Sequence, residues 1–337
     1  MKHIGVVGAG GIGTWHMRRW GLLPVELVGV YDVQPERASK AAAECQGRAF
    51  DSLEALLDAV DVVDVCTPTP FHKAPVLAAA AAGKDIVCEK PLARQLGDAR
   101  EMIDACNEQG VRLFVAHVVR FFNQFAQAKA LLDSGAIGQP GVIRTVRGGS
   151  PPYAAERPWF VDFEQSGGVV MDVGIHDIDF ARWCFGDVER VYARGLTFSG
   201  TEPKDHALMV LRFRNGAIGH IESSWAYPPG GFRTGFEIAG DQGIVEFDSL
   251  GPAPLTVIRT SSEEPSMACM PETYNPLAPW DDPYYLELEH FLSCLNTGQE
   301  FLVTAEDALQ AMKVALAALE SMETGLPVLL DAFAANV

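Results

Sequence analysis

The feature that most constrains this chain stands at its start. Ile4–Val7 is a short apolar run, Gly8-Ala9-Gly10-Gly11-Ile12-Gly13 follows at once, and Thr14–Trp20 continues at helical spacing. Strand, G-x-G-x-x-G and helix, in that order, leave few folds open. Gly8 permits the tight turn, Gly10 lets backbone approach a pyrophosphate, and Gly13 lets the helix pack closely on the strand. The helix amino terminus, from Gly11 and Ile12 onward, offers free amides to the anion. A second strand, Glu26–Tyr31, ends in Asp32, about 20 residues beyond the last glycine, where a ribose-binding carboxylate belongs. Its charge repels a 2′-phosphate, and Val33-Gln34-Pro35 supplies no offsetting cation, so the reading is NAD rather than NADP. Arg37, one turn into the next helix, is placed to cover the adenine.

Beyond Asp32 the chain keeps alternating. Helical segments at 52–59, 75–82 and 98–109 separate apolar strands at 62–66, 86–88 and 112–116, which predicts a doubly wound parallel sheet. Thr67-Pro68-Thr69-Pro70-Phe71-His72 leaves the strand at 62–66 by its carboxyl end, where such sheets bind ligands, so Thr67, Pro68 and His72 are expected beside the cofactor. The strand at 86–88 ends in Glu89-Lys90-Pro91. Proline cannot donate to a ladder, so the strand stops there and leaves an amine at its carboxyl end.

These segments together resemble the Gfo/Idh/MocA family of nicotinamide-dependent sugar and polyol oxidoreductases: Gly8–Gly13, CTPTPFH at 66–72 and GKDIVCEKPLA at 83–93. The resemblance implies a Rossmann domain, a role for Lys90 beside the nicotinamide and the reacting oxygen, and Glu89 at the border of the cofactor. Ala116–Asn123 resembles the family's Arg-Phe crossover, which places a domain boundary near residue 118 and makes Arg120 a substrate contact. The two domains are then 1–118, binding NAD, and 119–337, an α+β domain for substrate and oligomerisation.

After residue 118 the pattern changes. Strand-like runs at 142–147, 188–198, 207–214, 217–226, 232–239, 244–247 and 255–259 predict a large, mostly antiparallel open sheet. The stretch 261–283 reads as a Pro-rich loop, and 285–295 and 305–322 read as amphipathic helices. One helix interrupts the strands at 166–183. There Asp172, His176 and Asp179 fall at i, i+4 and i+7 on one face. An imidazole beside a carboxylate can move a proton near neutral pH, and GGVVMDVGIHDID resembles the family's Asp-x-x-x-His active-site helix.

Composition narrows the function further. A formal net charge of -18 without acidic blocks disfavours nucleic acid and anionic membranes as partners. Seven scattered cysteines without C-x-x-C fit buried thiols in the cytoplasm rather than disulfides or zinc, and no apolar run reaches membrane-spanning length. No metal is expected. The expectation is an NAD-dependent dehydrogenase acting on a secondary alcohol of a sugar, inositol or related polyol. Lys90, Asp172 and His176 are its catalytic candidates, and Arg120, Trp159, Asp179 and Trp225 its substrate contacts. The alternatives are an NAD-binding regulatory protein without turnover, and a relative that cleaves glycosidic bonds with tightly held NAD. The resemblance also implies a homodimer or homotetramer through the second sheet.

Overall fold

The computed structural model describes residues 1–150, 158–160, 162–198, 205–228, 230–251, 255–260, 266–267 and 281–334. In chain order the elements begin with β1 (His3–Val7), α1 (Gly11–Trp20), β2 (Glu26–Tyr31), α2 (Pro35–Cys45), β3 (Arg48–Ala49) and α3 (Leu53–Leu57). They continue with β4 (Val62–Val65), α4 (Lys73–Ala81), β5 (Asp85–Glu89), α5 (Leu96–Gln109) and β6 (Leu113–Ala116). Then come α6 (Asn123–Asp133), β7 (Pro140–Gly149), α7 (Phe163–Ser166), a π-helical turn at Val170–Gly174 and α8 (Ile175–Phe185). Strands β8 (Val188–Leu196), β9 (His206–Phe213), β10 (Ile218–Ser224), β11 (Phe232–Gly240) and β12 (Gly243–Asp248) follow. The chain closes with β13 (Thr256–Arg259), β14 (Ser266–Met267), α9 (Pro283–Thr297), α10 (Ala305–Thr324), β15 (Val328–Leu329) and α11 (Leu330–Ala334).

The chain forms two units, Met1–Phe121 with Asn275–Leu309, and Phe122–Tyr274 with Gln310–Val337. The first is built on a six-stranded sheet of order β3-β2-β1-β4-β5-β6, parallel throughout. Strands β4 and β6 are buried at every residue, as expected where both faces are covered by helices. The order reverses between β1 and β4, so the crevice at the carboxyl ends of these strands is the ligand position of the fold. A single division near residue 118 does not describe the first unit, because 275–309 returns to it. The reason is hydrophobic: α9 carries Leu288, Phe291 and Leu292, which join a core with Ile4, Met17, Trp20 and Phe114. Phe291 meets both Trp20 and Phe114 ring to ring, at 6.2 and 5.4 Å between centroids.

The second unit carries a nine-stranded sheet of order β14-β13-β12-β11-β7-β10-β9-β8-β15. All neighbours are antiparallel except β7 and β10. Strand β9 alternates: Ala207, Met209, Leu211 and Phe213 are buried, while Leu208 and Val210 face outward. Gly216, at φ +93°, lies in the turn of the β9–β10 hairpin. Near the end of the described residues Val328 pairs with Val191 at the sheet edge. Most of the Pro-rich stretch at 261–283 lies outside the described residues.

Candidate active site

In the first unit the glycine loop has the shape a pyrophosphate needs. Gly8 lies at φ +102°, and a Cβ there would stand 2.7 Å from the Cys66 carbonyl oxygen. A Cβ on Gly13 would meet the Gly8 carbonyl, so only glycine lets α1 start this close to β1. At Gly10 a Cβ would meet nothing within 4 Å, so the backbone there borders open space. Helix α1 has no side-chain cap and no acid in its first turn, which leaves its first amides, from Gly11 and Ile12, to an anion. Asp32 is half-buried at the end of β2. Its Oδ2 accepts the Ala9 N–H at 2.7 Å and its Oδ1 the Gln34 N–H at 2.8 Å. The carboxylate is thus set between the glycine loop and the β2 turn, with lone pairs left for ribose hydroxyls. Arg37 is exposed on α2. Loop, carboxylate and helix terminus fit a dinucleotide.

The loop after β4 is held by His72, which is almost fully buried. Its Nε2 lies 2.8 Å from the Thr67 carbonyl and its Nδ1 3.0 Å from that of Pro91. One ring therefore ties the Thr67-Pro68 loop to the segment after Lys90. Burial lowers its pKa against the pull of these carbonyls. Lys90 follows the last residue of β5 and is half-buried, and the Lys90–Pro91 peptide is cis. Its N–H donates to Glu89 Oε2 at 3.0 Å. Arg120 takes a structural post instead of a free one: it is 3% exposed, its Nη1 donates to the Leu302 carbonyl at 2.7 Å, and it faces Asp307 at 3.4 Å.

In the second unit the segment 166–183 departs from one continuous α-helix. Gly167 and Gly168 have positive φ, and Asp172 sits in the π turn before α8 begins. The three residues differ in burial. Asp172 and His176 are partly exposed, whereas Asp179 is fully buried. Trp225 is 1% exposed. Trp159 keeps partial exposure and stacks on Phe160 at 3.9 Å between centroids; Phe160 in turn meets Trp225 edge-on. Helix α8 is pinned by Asp177, the residue after His176. Asp177 is buried and takes a two-pronged ion pair from Arg147 of β7, 2.8 Å from Nε and 3.1 Å from Nη2. Burial pushes the Asp177 carboxyl up, while the guanidinium pulls it down.

Residues 2–117 match the oxidoreductase family with an NAD-binding Rossmann fold, and residues 125–246 the GFO/IDH/MocA C-terminal domain. The chain belongs to the Gfo/Idh/MocA family. It is an NAD-binding oxidoreductase of the dehydrogenase class. It is 32% identical to scyllo-inositol 2-dehydrogenase (NAD(+)) of Bacillus subtilis over 97% of this chain and 95% of the relative. It is 31% identical to myo-inositol 2-dehydrogenase of Thermotoga maritima over 95% and 96% of the two chains. Among solved structures it resembles an oxidoreductase from Agrobacterium radiobacter in complex with NAD+, L-tartaric acid and magnesium. That likeness has a TM-score of 0.87 at 26% identity and covers 98% and 99% of the two chains.

Two groups of this Gfo/Idh/MocA member escaped the sequence reading: the Arg147–Asp177 pair, and a buried set around His16, Asp64 and Glu89 in the first unit. Asp64 carried a usable signal, a carboxylate inside the otherwise apolar run VVDV. His16, Asp64 and Cys66 also stand close enough together to suggest metal ligands. Asp64 is instead engaged by the protein itself, accepting the Trp20 indole N–H at 2.7 Å and lying 2.9 Å from His16 Nδ1.

Proposed function

We propose that this protein oxidises a secondary alcohol of a cyclic polyol, an inositol or a sugar, with NAD. The observation that carries the reading is full-length kinship with two inositol 2-dehydrogenases, joined to the presence here of Lys90, Asp172 and His176. Bound NAD supplies the hydride acceptor. His176 takes the hydroxyl proton, and Asp172, one turn earlier, orients the imidazole. Lys90 donates a hydrogen bond to the same oxygen and stabilises the alkoxide charge as it develops. Asp32 holds the ribose, and Trp159 offers a flat apolar face of the kind that sugar rings stack on.

The test is incubation with NAD and a panel of inositols, sugars and linear polyols, followed by reduced-nicotinamide absorbance. At least one cyclic polyol should give turnover, and Lys90→Met should lower it about 10²- to 10³-fold with NAD binding retained. Absence of NADH with every member, or unchanged turnover in Lys90→Met, rejects the reading. Sugar release without net NADH would point instead to glycosidic-bond cleavage.

A second copy of the chain is the proposed partner of the second sheet. Its outward face sets Leu208, Val210 and Ile218, each more than one-third exposed, among charged neighbours such as Arg194 and Glu222. Apolar residues amid a polar surround suit a subunit interface. Light scattering should give a dimer or tetramer for the wild type and a smaller species for Leu208→Glu/Val210→Glu.

A further inference from the structure

Beneath the glycine loop the first unit holds charged groups that the proposed reaction does not use. His16, on α1, is fully buried. Its Nδ1 lies 2.9 Å from Asp64 Oδ2, and its Nε2 lies 3.3 Å from Glu89 Oε1. An imidazolium faces both carboxylates as a cation, hydrogen-bonded at Nδ1 and ion-paired without a hydrogen bond at Nε2. Asp64 is held from its far side, where the Trp20 Nε1–H donates to Oδ2 at 2.7 Å and the Cys66 thiol to Oδ1 at 3.3 Å. Glu89 turns its other oxygen to the Lys90 N–H at 3.0 Å. One continuous line therefore runs from Trp20 through Asp64, His16 and Glu89 to the backbone of Lys90.

The groups packed around this line leave His16 as its cation. From α9, Tyr284 stands 5.8 Å from the His16 ring, and burial pushes its phenol up. The Cys66 and Cys88 thiols are likewise raised by burial, so all three stay neutral near pH 7. Glu287 of α9 is fully buried, and neither carboxylate oxygen has a hydrogen-bond partner among the described residues. Burial, with Glu89 adding to it, raises its carboxyl well above the ordinary range, so it is a neutral acid. For His16 burial alone depresses the imidazole. The Asp64 carboxylate, 2.9 Å from Nδ1, works the other way and raises it.

We propose that His16 and Asp64 are positioning residues for Lys90: the imidazolium, held between Asp64 and Glu89, keeps Glu89 turned to the Lys90 N–H and so sets the strand end that presents the Lys90 amine. This rests on the role of Lys90 in the proposed reaction, while the charge on His16 is testable without it. In ¹⁵N-histidine spectra of the NAD-loaded protein, His16 is assigned by its loss in His16→Gln. Both ring nitrogens should be protonated from about pH 6 to pH 9, given the two facing carboxylates. In Asp64→Asn the ring should become neutral within that range, because burial then prevails.

The second arm uses whichever substrate the polyol panel identifies. Asp64→Asn should lower kcat about 10- to 100-fold with the KM for NAD unchanged. The loss should deepen as pH rises, a limb the wild type lacks and simple loosening of the core would not create. If Asp64→Asn fails to fold, His16→Gln carries this arm with a kcat loss and no new limb, since glutamine has no proton to lose. A neutral His16 ring at pH 7 in the wild type overturns the proposal. So does a folded Asp64→Asn with wild-type kcat and pH profile. A panel that yields no substrate rejects the assigned reaction alone, and the spectra still decide the charge of His16.

Discussion

The two units solve one problem with different chemistry. Each places a candidate reactive residue beside a buried carboxylate adjacent in sequence, Glu89 before Lys90 and Asp177 after His176. In the second unit that carboxylate is gripped by Arg147 through two prongs. A guanidinium holds its proton at every working pH, so the grip does not titrate from its cationic side. In the first unit the cation is His16, which does titrate; it faces Asp64 and Glu89, and Asp64 is held in turn by an indole and a thiol. The second anchor is therefore stiff and indifferent to alkali, whereas the first depends on pH.

His176→Asn tests the second unit most severely. Turnover should fall about 10²- to 10⁴-fold with NAD affinity unchanged, read by steady-state kinetics and calorimetry. An unchanged rate would remove the imidazole from the reaction. Arg147→Met comes next. It strands Asp177 without its partner in the core and should cost about 3–5 kcal/mol in urea unfolding. Loss of less than about 1 kcal/mol would mean the pair is not the anchor described here. Asp32→Ala, confined to the first unit, should weaken NAD about 10-fold and relax discrimination against NADP, since one charged acceptor is lost.

The smallest effect belongs to Glu287→Gln. A buried neutral acid and a neutral amide are nearly the same shape, so turnover should not change. Stability against pH should change, and its sign follows from linkage. The folded carboxyl titrates above its unfolded value, so its contribution is complete below that ordinary value of 4.5 and is lost as pH rises towards the folded one. The variant should therefore gain on the wild type as pH increases above 4.5. His16 works in the same direction over a higher window, complete below 6.5 and lost as pH rises through its raised value. Asp177 is also raised, so its share is complete below 3.8 and is lost as pH rises through its folded value. Denaturant titrations from pH 4 to pH 9 separate the three.

Much of this was legible in the chain. The glycine loop, Asp32, the alternating helices and strands, and the stop at Pro91 are local features. Each follows from what one residue can do with its own backbone or its neighbours a turn away. Gly8 is glycine because its φ is positive and the Cys66 carbonyl is close; Asp32 ends a strand whose register β1 dictates. Less local expectations fared worse. A face drawn through Asp172, His176 and Asp179 assumed one continuous α-helix, whereas Asp172 lies in a π turn and Asp179 is fully buried. That Arg120 and Trp225 are buried was not readable from their neighbours in sequence.

The sequence by itself determined the class of each half, the cofactor and the strand end at Lys90, because period, glycine placement and proline act over a few residues. Only the tertiary structure decided that α9 completes the first core, that Asp64 faces His16 and Trp20, and that Arg147 finds Asp177. Those partners lie about 30 to 270 residues apart in sequence. Burial then sets their charge, and burial is a property of the packed whole.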